Sequence, residues 1–217
     1  MLAVVSVLFF YTASVAAALS TNQGLTASIT PHAEYSSSVG VIGCKINTSR
    51  VAYWPDDVDC NDICVEVSYG GRSVHLLKVD KSTGAHDVSY DAWNYLVYGK
   101  SAKEEPHMGG AVEMQYQFVP ADRCKPLLFD GKLPLSAPNS MGYVGHCLME
   151  ENSWVARNYE LINIFDSTCH LGWNEVCTLD MDASNQPACP NTLGEALPLA
   201  GLAVTNIEYG TGKDIKA

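Results

Sequence analysis

The chain has 217 residues, a hydrophobic content of 47% and a formal net charge of −11 at pH 7. This length is sufficient for one large or two small domains with a hydrophobic core. A chain this acidic repels nucleic acid phosphates and anionic lipids, so we exclude nucleic acid as a partner. Basic proteins and neutral polymers remain as partners.

Residues 1–18 are typical of a secretory signal peptide. They are apolar, carry no charged side chain and end in Ala16-Ala17-Ala18, an A-x-A-like cleavage site. The polar stretch that follows disfavours a membrane helix. We therefore expect a secreted, extracellular protein without a membrane attachment after cleavage. The glycosylation sequon at Asn47 supports secretion weakly, because such triplets are common by chance.

The eight cysteines are expected to form disulfides in an extracellular protein. Four precede residue 125 and four follow it, so we predict that pairing stays within each half. A zinc site of the last four cysteines with His146 and His170 is the alternative, but no C-x-x-C spacing supports it. We expect no metal and no cofactor. The first half contains Cys44, Cys60, Cys64 and Cys124, and the second half contains Cys147, Cys169, Cys177 and Cys189.

The pattern of the first half is mostly that of β-strands. Residues 19–40 are polar and rich in Ser and Thr, which predicts a flexible leader. After it, the segments CVEVSY and RSVHLLKV flank Gly70-Gly71, which predicts a hairpin with a two-residue turn. A short helix should follow, with Ser89 as N-cap, Asp91 in its first turn and Gly99 at its end.

The segment AVEMQYQFV, residues 111–119, alternates between apolar and polar residues and predicts a half-buried strand. The rest of the chain, residues 125–217, is rich in Pro and Cys. It is either a small second domain or a disulfide-stapled extension packed on the first half. Within it, WVARNYELINIF fits a helix or a strand, and LAVTNIEYG fits a strand. Its prolines are Pro126, Pro134, Pro138, Pro187, Pro190 and Pro198.

The order of these elements resembles the double-psi β-barrel of expansins, barwin-like proteins and related fungal secreted proteins. The matching pieces are LLKVD, KSTGA, HDVSYDAWNYL and GGAVEMQYQFVPADRC, with SRVAYW as the first barrel strand. The match covers residues 41–124. The resemblance implies a mainly β fold: a six-stranded double-psi β-barrel with a short helix, followed by the cysteine-rich residues 125–217.

The resemblance also implies roles for Asp80, which ends the strand LLKVD, and for Asp87. In expansin-like proteins the matching carboxylates line a groove that grips a polysaccharide, and in small fungal endoglucanases the matching acid protonates the glycosidic oxygen. Because the loop KSTGA between them is short, we predict that the two carboxyl groups approach within a few ångströms, so that one keeps its proton. A purely structural role for Asp87, as an acceptor for loop amides, is the alternative.

Inverting hydrolysis also requires a base about 6.5–9.5 Å from the acid. Asp56 and Asp57 are candidates, but Pro55 interrupts the Tyr-Trp-Asp motif of those endoglucanases. The family's two loop cysteines are replaced by Ser82 and Ala85. These departures leave the two carboxylates above as catalytic candidates only.

Sugar binding would use aromatic faces near the same carboxylates. Tyr53 and Trp54 are the stacking candidates because they end a strand before a Pro-Asp-Asp turn, whereas Trp93 in the helix is expected in the core. The predicted binding residues are therefore Tyr53, Trp54, Asp56, Asp80 and Asp87.

Three functions follow from the sequence. The first is a non-hydrolytic, expansin-like or barwin-like protein that binds cell-wall polysaccharide. The second is a secreted effector or inhibitor that uses the barrel as a scaffold to bind an extracellular host protein. The third is an endoglucanase-like hydrolase. We favour a non-enzymatic protein, because the departures from the family pattern fall on the residues that catalysis would need.

Overall fold

Strands dominate the regular structure of residues 24–217, the part of the chain that the computed structural model describes. The predicted signal peptide lies outside these residues. No helix in the described part is long and apolar enough to cross a membrane. The elements are β1 (Leu25–His32), β2 (Val51–Trp54), β3 (Cys64–Tyr69), β4 (Arg72–Lys81), β5 (His86–Ser89), α1 (Tyr90–Tyr98), β6 (Val112–Val119), β7 (Leu133–Ser136), α2 (Met141–Met149), α3 (Trp154–Asn158), β8 (Tyr159–Ile164), β9 (Gly172–Cys177), β10 (Thr205–Ile207) and β11 (Asp214–Lys216).

The first six strands form a closed barrel in the order β1-β5-β2-β4-β3-β6. The pairs β1/β5 and β2/β4 are parallel, and the other neighbouring strands described are antiparallel. The connection from β1 to β2 passes β5, and the connection from β4 to β5 passes β2, so the two connections interlock. This arrangement confirms the predicted mainly β fold with a six-stranded, double-psi barrel.

The barrel begins earlier than predicted. Residues 25–32, assigned to a flexible leader, form β1, which pairs with β5 and β6. The barrel strands therefore span residues 25–119 rather than starting after residue 41, and SRVAYW supplies the second strand. The pattern did not reveal β1 because only Ile29 is fully buried in it. Backbone pairing with two neighbours holds a strand without an apolar face.

The predicted hairpin and helix are confirmed. Gly70 and Gly71 have φ values of +56° and +78°, as a two-residue turn between β3 and β4 requires. Helix α1 ends at Gly99, which has a φ of +82°. Ser89 stands at the N-cap position as predicted, but its side chain makes no capping hydrogen bond. The helix packs Trp93 and Leu96 into the barrel core, where Trp93 is 1% exposed as predicted.

Residues 125–217 pack on the outside of the barrel. Strands β7, β8 and β9 form a three-stranded sheet, with β7 and β8 parallel. One hydrophobic core contains outward-facing barrel residues such as Val51 and Leu77 together with Leu161 and Ile162 of β8. The second half is thus arranged as the stapled extension that the sequence left open as an alternative. The ambiguous segment WVARNYELINIF contains both structures, since α3 passes directly into β8.

The cysteines form four disulfides, as predicted, but two of the pairings differ from prediction. Cys64–Cys124 and Cys177–Cys189 stay within their halves, whereas the other two bridges cross residue 125. Pairing within each half was therefore wrong, because an even count on each side says nothing about which cysteines lie close in space. The crossing bridges are Cys44–Cys169 and Cys60–Cys147.

Candidate functional site

Asp80 and Asp87 lie on either side of Tyr53. In the barrel, Tyr53 of β2 pairs with Asp80 of β4 and with Asp87 of β5. Because neighbouring strands are about 4.8 Å apart, the two aspartate backbones are separated by about 10 Å. The prediction that they meet directly across the loop was wrong, because the double-psi topology inserts β2 between the strands that carry them.

Asp80 holds a covering segment onto the barrel. Its Oδ1 accepts hydrogen bonds from the amides of Ser38 and Lys81, at 3.0 and 2.8 Å, and its Oδ2 accepts one from the Ser36 hydroxyl. The Ser37 hydroxyl donates to the carbonyl of Val79 at 2.7 Å. Asp80 therefore fastens residues 36–38, which connect β1 to the rest of the barrel.

Asp87 also accepts a hydrogen bond from a neighbouring part of the barrel. Its Oδ1 accepts a hydrogen bond from the hydroxyl of Thr30, the residue opposite it on β1. This contact ties β5 to β1. The contacts of both carboxylates in the described residues thus favour the structural role that the sequence left open for Asp87.

Tyr53 and Trp54 are buried, at 4% and 0% exposure. The Tyr53 ring lies 4.5 Å from the His32 ring, its hydroxyl donates to the Glu34 carbonyl at 3.2 Å, and burial raises its pKa. Neither ring presents a face to solvent, because both pack in the hydrophobic core. The sugar-stacking role is not available to them in this structure.

A cluster of aromatic rings that includes one exposed member lies at one mouth of the barrel. Strands β2, β4 and β6 end at this mouth, and β1, β3 and β5 begin there. The Trp54 ring forms its floor and meets the rings of His86 and Tyr116 edge-on, at 5.1 and 5.5 Å. Phe118 continues the cluster 6.3 Å from Tyr116 and is 37% exposed. We call His86, Tyr116 and Phe118, above Trp54, the aromatic mouth.

A buried lysine joins the aromatic mouth to the loop between β2 and β3. Lys78 is 3% exposed, and its Nζ lies 5.8 Å from the centre of the Phe118 ring. The same Nζ donates to the Asp57 carbonyl at 2.7 Å. Burial lowers the pKa of Lys78, and the loop carboxylates of Asp56 and Asp59 oppose that shift.

That loop, residues 55–63, is rich in exposed aspartates, and we call it the acidic loop. Asp57 forms an ion pair with Lys81 at 2.7 Å, which lowers the pKa of Asp57. Asp59 accepts bonds from loop amides. Asp56 and Asp62 make no side-chain hydrogen bond or ion pair with any described residue. The aspartates of the loop are Asp56, Asp57, Asp59 and Asp62.

His86 belongs to the aromatic mouth and is also close enough to the acidic loop to be affected by its charge. Its ring contacts Trp54 and Tyr116, and burial is the main reason that its pKa is lowered. The Asp56 carboxylate partly opposes this shift. A neutral imidazole is therefore favoured in the aromatic mouth.

The sequence pattern predicted one part of this site. The alternation of residues 111–119 placed Tyr116 and Phe118 on the inward face, and β6 confirms that strand. It did not show that the inward face emerges from the barrel at Phe118, nor that His86 lies beside it. Asn47 is exposed, with its Oδ1 accepting a bond from the Ser49 amide at 3.1 Å.

No protein-family model matches the sequence, and no curated protein matches it significantly. Among solved structures, the chain is similar to cerato-platanin 2 and cerato-platanin 3 from M. perniciosa, at 16% and 14% identity and TM-scores of 0.34 and 0.35. The solution structure of the fungal elicitor Cerato-Platanin is similar at 22% identity and a TM-score of 0.33. These comparisons cover 46–48% of this chain and 98% of each of those chains. Identities and TM-scores this low do not assign a function, so the proposed function is argued from the chain's own residues.

Proposed function

We propose that this protein is a secreted, non-hydrolytic protein that binds cell-wall polysaccharide through the aromatic mouth. The observation that carries the proposal is the exposed Phe118 at the end of a continuous cluster with Tyr116 and His86. A pyranose ring has an apolar face of C–H groups, which packs on an aromatic ring of this kind. The barrel wall and the Trp54 floor hold these rings in place.

The contacts of the two candidate acids support binding over hydrolysis. Asp80 accepts two hydrogen bonds from the segment that it fastens and one from the amide of Lys81, and Asp87 accepts one from the Thr30 hydroxyl. Two strand spacings separate their backbones, and Tyr53 stands between them. A glycosidase needs its acid and its base free on opposite faces of one sugar.

The four disulfides support secretion. Disulfides form and persist in oxidising compartments, such as the extracellular space, and are rare where thiols are kept reduced. All eight cysteines of the chain are paired. An extracellular location is also where a cell-wall polymer would be met.

The test is co-sedimentation of the mature protein with insoluble cellulose and chitin. Phe118→Ala should reduce the bound fraction, and the association constant should fall by about threefold to tenfold, the value of one aromatic contact. Phe165→Ala is a matched control, because Phe165 is also 37% exposed but lies after β8. Stacking is largely apolar, so binding should persist at high salt.

Two results would contradict the proposal. If neither polymer retains the protein, the effector or inhibitor function becomes the better account. If Phe118→Ala and Phe165→Ala bind equally well, the aromatic mouth is not the binding surface. Release of soluble sugars from cellulose that depends on Asp87 would instead establish a hydrolase.

A further inference from the structure

The chain contains one N-glycosylation sequon, Asn47-Thr48-Ser49, and the side chain of its asparagine is exposed. Asn47 is the N-cap of a one-turn 3₁₀ helix that leads into β2. Its Oδ1 accepts a hydrogen bond from the Ser49 amide at 3.1 Å, whereas its Nδ2, the atom that would carry a sugar, bonds to no described residue. The nitrogen that would be modified is therefore free, and the local hydrogen bond fixes the direction of the side chain.

An antiparallel bridge holds the backbone before the sequon against the segment that follows residue 126. Ile46 and Leu128 form the bridge, and both side chains are buried, at 2% and 5% exposure. On either side of this pair, the amides of Asn47 and Phe129 donate to carbonyls of the opposite segment at 2.8 and 3.1 Å. Because successive side chains of extended backbone point to opposite faces, Asn47 and Phe129 share the outer face.

Phe129 is the apolar neighbour of the sequon. It is 65% exposed, more than any other aromatic side chain within residues 24–217. Diagonal neighbours across an antiparallel pair, such as Asn47 and Phe129, lie about 7–8 Å apart, within reach of a long side chain. A sugar on the Asn47 nitrogen extends that side chain by one ring, so it can cover a phenyl face that the described protein leaves in water.

We infer that Asn47 carries an N-linked glycan, and that the apolar face of its first N-acetylglucosamine packs on the Phe129 ring. In the transfer, Nδ2 forms a bond to C1 of the sugar and loses one proton, while the bond from C1 to the diphosphate of a lipid-linked oligosaccharide breaks. Sugar and phenyl rings meet mainly through apolar contact. The inference rests on secretion, one part of the proposed function, and does not depend on the aromatic mouth.

The first experiment is secretion of the full chain from a eukaryotic host, followed by peptide mapping with and without peptide N-glycosidase. This enzyme converts a glycosylated asparagine to aspartate, and we expect the conversion at Asn47. Ser49→Ala should abolish the glycan, because a sequon needs a hydroxyl at its third position. Thr48→Ala is the matched control and should keep the glycan, because the second position accepts any residue except proline.

The second experiment measures the contact with Phe129. Trimming with an endoglycosidase leaves one N-acetylglucosamine on Asn47, and the trimmed protein is compared with sugar-free Ser49→Ala in thermal unfolding. The single sugar should raise the melting temperature by about 1–4 °C, and this difference should vanish when both proteins also carry Phe129→Ala. Tyr69→Ala is the control, because Tyr69 is 37% exposed at the β3–β4 hairpin, and it should leave the difference intact.

The outcomes are distinguishable. Secreted protein without a glycan at Asn47, or a glycan that persists in Ser49→Ala, would overturn the inference and leave the proposed function standing. A sugar that raises the melting temperature equally with and without Phe129→Ala would contradict the packing on Phe129. Protein that stays inside the cells and carries no sugar would overturn both the inference and the proposed secretion.

Discussion

Cys60, in the acidic loop, and Cys147, in α2, are 87 residues apart in the sequence and are joined by a disulfide. The bridge fastens residues 125–217 to the barrel beside the acidic loop. Both sulfurs are buried, and the shared hydrophobic core surrounds them. The relative position of the two halves therefore depends on a covalent link as well as on packing.

Replacing both Cys60 and Cys147 with Ser should lower the free energy of unfolding by about 3–5 kcal/mol, because the bridge closes a long loop in the unfolded chain. The matched control replaces Cys177 and Cys189, which are only 12 residues apart, and should cost about 1–2 kcal/mol less. Denaturant unfolding monitored by tryptophan fluorescence measures both. Equal losses would show that chain entropy does not set the difference.

The ion pair between Arg50 and Asp91 should be worth far more than a surface pair. The Asp91 side chain is 7% exposed, and it also accepts a bond from the Ala102 amide at 2.8 Å. Asp91→Ala leaves Arg50 and that amide without their partner and should cost about 3–5 kcal/mol. The Lys103–Asp214 pair is equally short but half exposed, so Asp214→Ala should cost less than about 1 kcal/mol. Similar losses in urea unfolding of the two variants would contradict this.

Asp80 should matter more to stability than Asp87. Asp80→Ala removes the acceptor for two amides and one hydroxyl, and should cost about 1–3 kcal/mol. Asp87→Ala removes the acceptor for the Thr30 hydroxyl only, and should cost about 0.5–1.5 kcal/mol. Thermal unfolding of the two variants and the wild-type protein gives the ranking. The reverse order would mean that Asp87 has a further structural role.

His86 should make the protein less stable in mild acid. Burial lowers its pKa below the ordinary value of 6.5, so the unfolded chain binds a proton at a higher pH than the folded protein does. The unfolded state therefore holds more protons between the two pKa values. Stability is full above about pH 6.5 and falls as the pH drops towards the folded pKa.

His86→Gln should flatten this slope in melting curves recorded between about pH 7 and 5. His146→Gln is the control, because His146 is 62% exposed on α2, and it should follow the wild-type curve. If the slope persists in His86→Gln, other groups cause it.

The sequence by itself predicted the local elements whose signals are complete within a short window. Gly70 and Gly71 specify a hairpin because both positions need positive φ, and Gly99 ends the helix for an equally local reason. The predicted capping bond of Ser89 is not formed, because its hydroxyl has no partner among the described residues. The resemblance of those elements to a known barrel then indicated six strands. The cysteine count predicted that disulfides form, but it did not predict which cysteines pair.

Only the tertiary structure decided what those elements bring together. The interlocked connections place β2 between Asp80 and Asp87, and they bury Tyr53 and Trp54 that the sequence had assigned to the surface. Strand β1 was hidden because its backbone pairing requires no apolar pattern. Phe118 became a candidate binding residue because it is exposed at the end of β6, a strand whose sequence pattern predicted one apolar face along its whole length. Exposure at a barrel mouth depends on where the other five strands end, and the sequence of one strand does not contain that information.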